Sequence, residues 1–144
     1  MVDLETLDTS PTGVIVSIGA VEFAAHGRGR EFYSVLNIQD QLELGRTISA
    51  STLAWWMKQD PEARKVFQEE PCQLWEALEE FSQWLKECEG TPRIWGNGAS
   101  FDNSMLSHCY HSAKMDQPWK FTGDACYRTL KSLAPGIKAG PRQG

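Results

Sequence analysis

Residues 1–6 read MVDLET, two carboxylates one residue apart between apolar neighbours. Side chains on a strand alternate faces, so Val2 and Leu4 would point to one side while Asp3 and Glu5 share the other. This predicts a first strand with a paired-acid edge on an apolar base. Working outward, Ser10-Pro11-Thr12-Gly13 is turn chemistry, and VIVSIGAVEF (14–23) is a nearly continuous apolar run, which predicts a central strand covered on both faces. A turn at 26–29 and a partner strand from Arg30 to Ile38 complete a hairpin, so three strands come first.

Helical spacing then takes over. Ser49 to Gln59 places Leu53, Trp56 and Met57 on one face, and a second short helix is expected near Pro61, where proline suits the first turn. The clearest helix spans about Pro71 to Glu89, with Leu74, Leu78, Phe81, Leu85 and Cys88 recurring every three or four residues. RIWGNG (93–98) reads as a strand ending in glycines, followed by a helix from about Phe101 to Ser112 and another near Tyr127 to Leu133. Strands first, then helices alternating with strands, indicate one α/β domain over 1–144 with a mixed sheet.

The 144 residues suffice for one core. No apolar run approaches the roughly 20 residues of a membrane span, and no secretory leader is seen, so a cytoplasmic protein with no membrane partner is expected. Cys72, Cys88, Cys109 and Cys126 show no C-x-x-C spacing, so core or surface thiols are the plain reading. If Cys72 and Cys88 share one helix they stand about 24 Å apart, too far for a bridge. The net charge of −5 argues against coating a duplex by charge alone. Residues 110–144 carry six Lys or Arg against two acids, a basic third suited to phosphates or an ordinary fluctuation on a solvated surface.

D-x-E on a strand is common, and its plain meaning is solubility. A second stretch, WGNGASFDN (95–103), adds Asn97 in a glycine-rich turn and Phe101, Asp102 and Asn103 at a helix start, where a carboxylate also serves as a cap. D-x-E-T followed by N-x-x-x-F-D resembles the first two motifs of the DEDD 3'-5' exonucleases of the RNase H-like (DnaQ-like) superfamily. More narrowly, DLETLDTSPTGVIVSIGAV, the Trp55-Trp56 pair, WGNGASFDN and CYRTLKSLAP together resemble the small bacterial and phage 3'-5' exoribonucleases. The resemblance implies an RNase H-like mixed β-sheet flanked by helices. It also implies hydrolysis of terminal phosphodiesters of single-stranded nucleic acid, RNA before DNA, from the 3' end. Two Mg2+ or Mn2+ ions would be held by Asp3, Glu5 and Asp102 as metal and catalytic residues. Hard oxygen donors suit such ions, and a pair about 3.5–4 Å apart stabilises both attacking and leaving oxygens.

By the same resemblance Thr6, Leu7, Asn97, Phe101, Asn103, Trp56 and Arg128 are substrate contacts, with Leu7 wedged beside the terminal base. Trp55 and Trp56 would offer stacking surfaces, although a core role is favoured because Trp56 matches the buried helix face. A homodimer is a further expectation. The family's closing motif, H-x-x-x-x-D or Y-x-x-x-D, is the point of departure. His111 to Asp116 fits the string, but 14 residues of continuous helix would carry Asp116 about 21 Å from Asp102. Lys131 stands where the tyrosine pattern needs an acid, and neither histidine nor acid follows Asp124. The expectation is therefore a C-terminally incomplete fold, with weak metal binding and little hydrolysis by this chain. The alternative is a non-catalytic module that holds nucleic-acid ends or a protein. A dinucleotide-binding fold fits poorly, since no G-x-G-x-x-G follows the first strand.

Overall fold

In the computed structural model the alternation at the start of the chain is realised as strand β1 (Val2–Thr6). Val2, Leu4 and Thr6 are buried, while Asp3 and Glu5 are exposed. The structure describes residues 1–24, 27–88, 92–96, 101–120 and 124–126. β1 pairs antiparallel with β2 (Ile15–Ala24), and β2 pairs antiparallel with β3 (Gly27–Val35). On its other side β1 runs parallel to β4 (Ile94–Gly96), and β4 runs parallel to β5 (Asp124–Cys126). The order β3-β2-β1-β4-β5 makes β1 the centre of a mixed sheet, so the acid pair sits in the middle of it. With helices packed on the sheet, this is the mixed α/β class that the sequence predicts.

The main core forms on the Val2 and Leu4 face. Helix α3 (Leu74–Lys86) buries Leu74, Ala77, Leu78, Phe81 and Leu85 there, the face read from its periodicity. Beside it, α4 (Asp102–Ser112) contributes Met105, Leu106, Cys109 and Tyr110. The two helices are tied where Tyr110 Oη donates to the Leu78 carbonyl at 2.7 Å. A smaller cluster of Leu7, Val14, Val16, Val35, Trp56 and Val66 fills the other side of the sheet near the end of β1.

Several expectations need correction. Of the turn expected at 26–29, residues 27–29 instead belong to β3, where Gly27 and Arg28 pair with Ala24 and Phe23, and residue 26 lies outside the described residues. The partner strand stops at Val35, and Asn37 caps an unforeseen helix, α1 (Ile38–Glu43), by accepting the Asp40 N–H. On that helix Gln41 is fully buried, and its amide brackets Ile15, accepting from the backbone N–H and donating to the carbonyl, both at 2.8 Å. Helix α2 (Ala50–Met57) forms where expected and is capped by Ser49. Of the three apolar residues expected to share a face, only Trp56 is buried; Leu53 is exposed and Met57 is 71% exposed. The short helix near Pro61 is a 3-10 turn, Ala63–Gln68. Cys72 and Cys88 do not share a helix: Cys72 bridges to Leu36 before α3 begins, and Cys88 follows its end. The helix expected at 127–133 and the glycine- and proline-bearing tail lie outside the described residues. Among the described residues no helix is long and apolar enough to cross a membrane.

Candidate functional site

Asp3 and Glu5 project from the face of β1 opposite the main core, about 6.6 Å apart along the strand at 3.3 Å per residue. Cross-strand register fixes their neighbours. Asp3 pairs with Gly19, which pairs with Tyr33; Glu5 pairs with Ser17, which pairs with Val35. Residues directly opposite on paired strands share a face, so Tyr33 stands on the acid side of the sheet.

Two depressions flank the pair. Glu5 lines a groove of about 370 Å3 with Thr6, Trp55, Trp56 and Phe101, and the hydroxyl residues Thr9, Ser51 and Thr52 also face it. Asp3 lines a second, wider groove of about 630 Å3 with Gly19 and Tyr33. The tryptophans have divided roles. Trp56 is buried, and its indole N–H donates to the Thr6 carbonyl at 2.8 Å, which fastens α2 to the end of β1. Trp55 is 53% exposed, with its ring edge-on to Trp56 at 5.1 Å. Thr6 is turned inward, and its hydroxyl donates to the Asp8 carbonyl at 2.9 Å. Leu7 packs in the smaller cluster and lines neither groove. Asp8, the third acid of the opening stretch, organises its own turn. It accepts from the N–H groups of Thr9 and Ser10 and from the Thr47 hydroxyl, and the last bond is the main cause that lowers its pKa.

Asp102 begins α4 and is only 4% exposed. The helix start is held against β4 by Asn103, whose side-chain amide donates to the Ile94 carbonyl at 3.0 Å. Close approach is allowed because residue 96 is glycine. A Cβ there would meet Asn103 Oδ1 at 2.7 Å and Asp102 Cβ at 3.1 Å. Gly96 is also the strand partner of Val2, the residue before Asp3, so this contact sets where Asp102 sits relative to the acid pair. Gly96→Ala is expected to destabilise the fold by about 1–3 kcal/mol through overpacking. Denaturant titration checks this, and a wild-type midpoint would show that α4 can shift freely.

The donors suit a hard divalent cation in kind, since all are carboxylate oxygens. Their gathering is incomplete. Among the described residues no group of three or more His, Cys, Asp or Glu side chains is placed to hold a metal ion. Asp3 and Glu5 are exposed on the face away from the main core, Asp102 is nearly buried at the start of α4, and Phe101, the residue before it, lines the Glu5 groove. His111 is exposed in the last turn of α4, and the chain turns at Lys114, where φ is 57°, so Asp116 is not on a continuing helix. Asn97 and Arg128 lie outside the described residues.

A family model described as the 3'-5' exoribonuclease Rv2179c-like domain matches residues 1–143. The chain belongs to that family. The match supports a 3'-5' exoribonuclease at the level of family and enzyme class, and the Rv2179c-like domain covers both grooves and the acid pair between them. No curated protein matches the chain significantly. In this Rv2179c-like domain, sequence reading missed Gly19 and Tyr33 as neighbours of the acids. One signal was present, a glycine inside the apolar run of β2, where strands ordinarily avoid it. Tyr33 donates its hydroxyl to Glu69 at 2.9 Å. Its pKa is pushed up to about 12, first by burial of the hydroxyl and then by Glu69 and Glu5, so the group remains a protonated donor at neutral pH.

Proposed function

We propose that this chain is a metal-dependent 3'-5' exonuclease domain that takes the 3' end of single-stranded RNA in preference to DNA. The observation that carries the reading is the exposed acid pair of β1, with Glu5 lining an aromatic groove, in a chain of the exoribonuclease family. Asp3, Glu5 and Asp102 are the residues that would hold two Mg2+ or Mn2+ ions. Such ions, when bound, supply charge stabilisation to the phosphodiester oxygens and an activated water. The chain's own side chains orient the substrate. The exposed Trp55 ring offers a stacking face to the terminal base, with Phe101 opposite in the groove, and Trp56 fixes both the helix and the Thr6 backbone. Hydroxyl groups of Thr9, Ser51 and Thr52 along the groove suit hydrogen bonds to a 2'-hydroxyl, the group that separates RNA from DNA. Two exposed carboxylates repel a phosphate, so binding itself is expected to need the divalent cation.

The alternative reading is retention of 3' ends without cutting, and one experiment separates the two. Both readings are tested by incubating 5'-labelled single-stranded RNA, and its DNA counterpart, with Mn2+ and either this chain or Asp3→Ala. We expect Mn2+-dependent retention of RNA with shortening from its 3' end, and a loss of about 1–3 kcal/mol in affinity for Trp55→Ala. A fast ladder from the 3' end, absent with Asp3→Ala, would establish hydrolysis by this chain. Retention without shortening would favour the second reading, and no retention of RNA at all would sink both.

A further inference from the structure

The groove on the Asp3 side has no role in the reading above, and one of its residues is hard to explain as architecture. Gly19 lies in the interior of β2, where glycine costs roughly 0.5–1 kcal/mol relative to alanine. Its backbone does not call for glycine, since φ is outside the left-handed region. Packing does not call for it either, because a Cβ would meet nothing closer than the Asp3 carbonyl oxygen at 3.7 Å, an ordinary contact. What the missing side chain does is leave a bare floor between Asp3 and Tyr33 on the acid face of three successive strands. A glycine of this kind in a strand marks a place where a ligand comes close to the backbone.

Tyr33 forms the far wall of that floor. Its ring is 58% exposed, too open to serve the core, yet its hydroxyl is anchored to Glu69 at the end of the 3-10 turn. An aromatic face held from its far end and open to solvent is suited to stacking a base. The two grooves lie on either side of the acid pair, Asp3 lining one and Glu5 the other, so a strand crossing the acids would occupy both. The volume of about 630 Å3 is within the roughly 300–1,000 Å3 usual for small-molecule sites.

We infer that the Gly19 floor and the Tyr33 ring form a second nucleotide site, which takes the base preceding the 3'-terminal one and makes Tyr33 a substrate-positioning residue. The inference rests on the reading of the chain as an RNA 3'-end site. It gives the bound strand a direction, with the terminal nucleotide against Trp55 and the one before it against Tyr33.

The test is fluorescence anisotropy in Mn2+ with a 5'-labelled RNA octamer, beside competition by adenosine 5'-monophosphate, which fills the terminal site alone. Tyr33→Ala is expected to weaken octamer binding on the order of tenfold and to leave monophosphate competition unchanged. Tyr33→Phe, which keeps the ring, is expected to bind like the wild type. Gly19→Val places a side chain on the floor and suits a strand, so octamer affinity should fall while the melting temperature holds or rises. Folded Tyr33→Ala and Gly19→Val chains that bind the octamer as well as the wild type would overturn the inference and leave the RNA reading standing. Equal loss for octamer and monophosphate, or a Tyr33→Phe as weak as Tyr33→Ala, would also overturn it. A wild-type chain that binds neither ligand would remove the RNA reading together with the inference.

Discussion

Phe81→Ala is expected to lower the unfolding free energy by about 3–5 kcal/mol, with a fall in melting temperature of about 10 °C or more. Phe81 sits at the middle of the buried face of α3, fully shielded from solvent, between Leu78 and Leu85. Its ring meets Phe32 of β3 edge-on at 5.4 Å and stacks near Trp84 at 6.0 Å. Truncation therefore removes apolar burial and two aromatic contacts, and it leaves a void between sheet and helix that a close-packed interior fills only partly. Guanidinium titration by circular dichroism measures the loss. A change under about 1 kcal/mol would mean that the core can collapse around the gap, contrary to the packing described.

The second large effect belongs to Arg46, buried at the junction between the turn after β1 and α4. Its guanidinium donates to the Gly13 carbonyl at 2.6 Å, to Pro11 O at 3.3 Å, to Ser112 Oγ at 3.1 Å and to His108 Nδ1 at 2.9 Å. Among the described residues it makes no ion pair with a carboxylate, so these neutral acceptors carry the compensation for burying the charge. Arg46→Ala would leave several buried acceptors without a donor, at about 1–3 kcal/mol each, and a total loss of about 3 kcal/mol or more is expected. Arg46→Met, which fills the space but cannot donate, should fall close to Arg46→Ala if hydrogen bonding dominates. A near-wild-type Arg46→Met would show that packing alone holds the junction.

The same junction sets a pH dependence. Because Arg46 donates to His108 Nδ1, that imidazole is neutral in the fold, with its proton on Nε2. Burial first, then the charge of Arg46 and the proximity of His111, hold its pKa below the usual value. A lowered folded pKa contributes stability above the unfolded value of about 6.5, and that contribution is lost as pH falls through the folded pKa. Melting temperature should therefore drop on going from pH 7 towards pH 5, and His108→Gln, which does not titrate, should flatten part of that slope. An unchanged slope would place the acid sensitivity elsewhere.

How far the sequence reaches depends on which force shapes each element. α3 was legible at Leu74, Leu78, Phe81 and Leu85 because an apolar stripe at helical spacing is what buries it, although it is shorter than expected and Cys88 falls past its end. α1 was not, because Asn37 caps it and Gln41 pairs with the Ile15 backbone, a polar attachment that leaves no hydrophobic period to read. α2 shows the limit of periodicity itself. Leu53, Trp56 and Met57 share a face in the sequence, but the helix rests on the smaller cluster through Trp56, and the other two remain exposed. Asp3 and Glu5 were visible as a pair because strand alternation needs only a local rule. Their neighbours Gly19 and Tyr33 depend on the register of three strands, which no local pattern specifies. Thr6 and Leu7 continue the same alternation, Thr6 towards the Val2 and Leu4 side and Leu7 into the smaller cluster on the other.

The central claim, recognition of an RNA 3' end across the acid pair, is tested most directly by comparing linear and circular forms of one single-stranded RNA. Both carry the same bases and nearly the same charge, and only the linear form has an end. Binding measured in Mn2+ should strongly favour the linear form and weaken with Asp3→Ala. Equal affinity for the two forms, or a preference untouched by Asp3→Ala, would contradict the account.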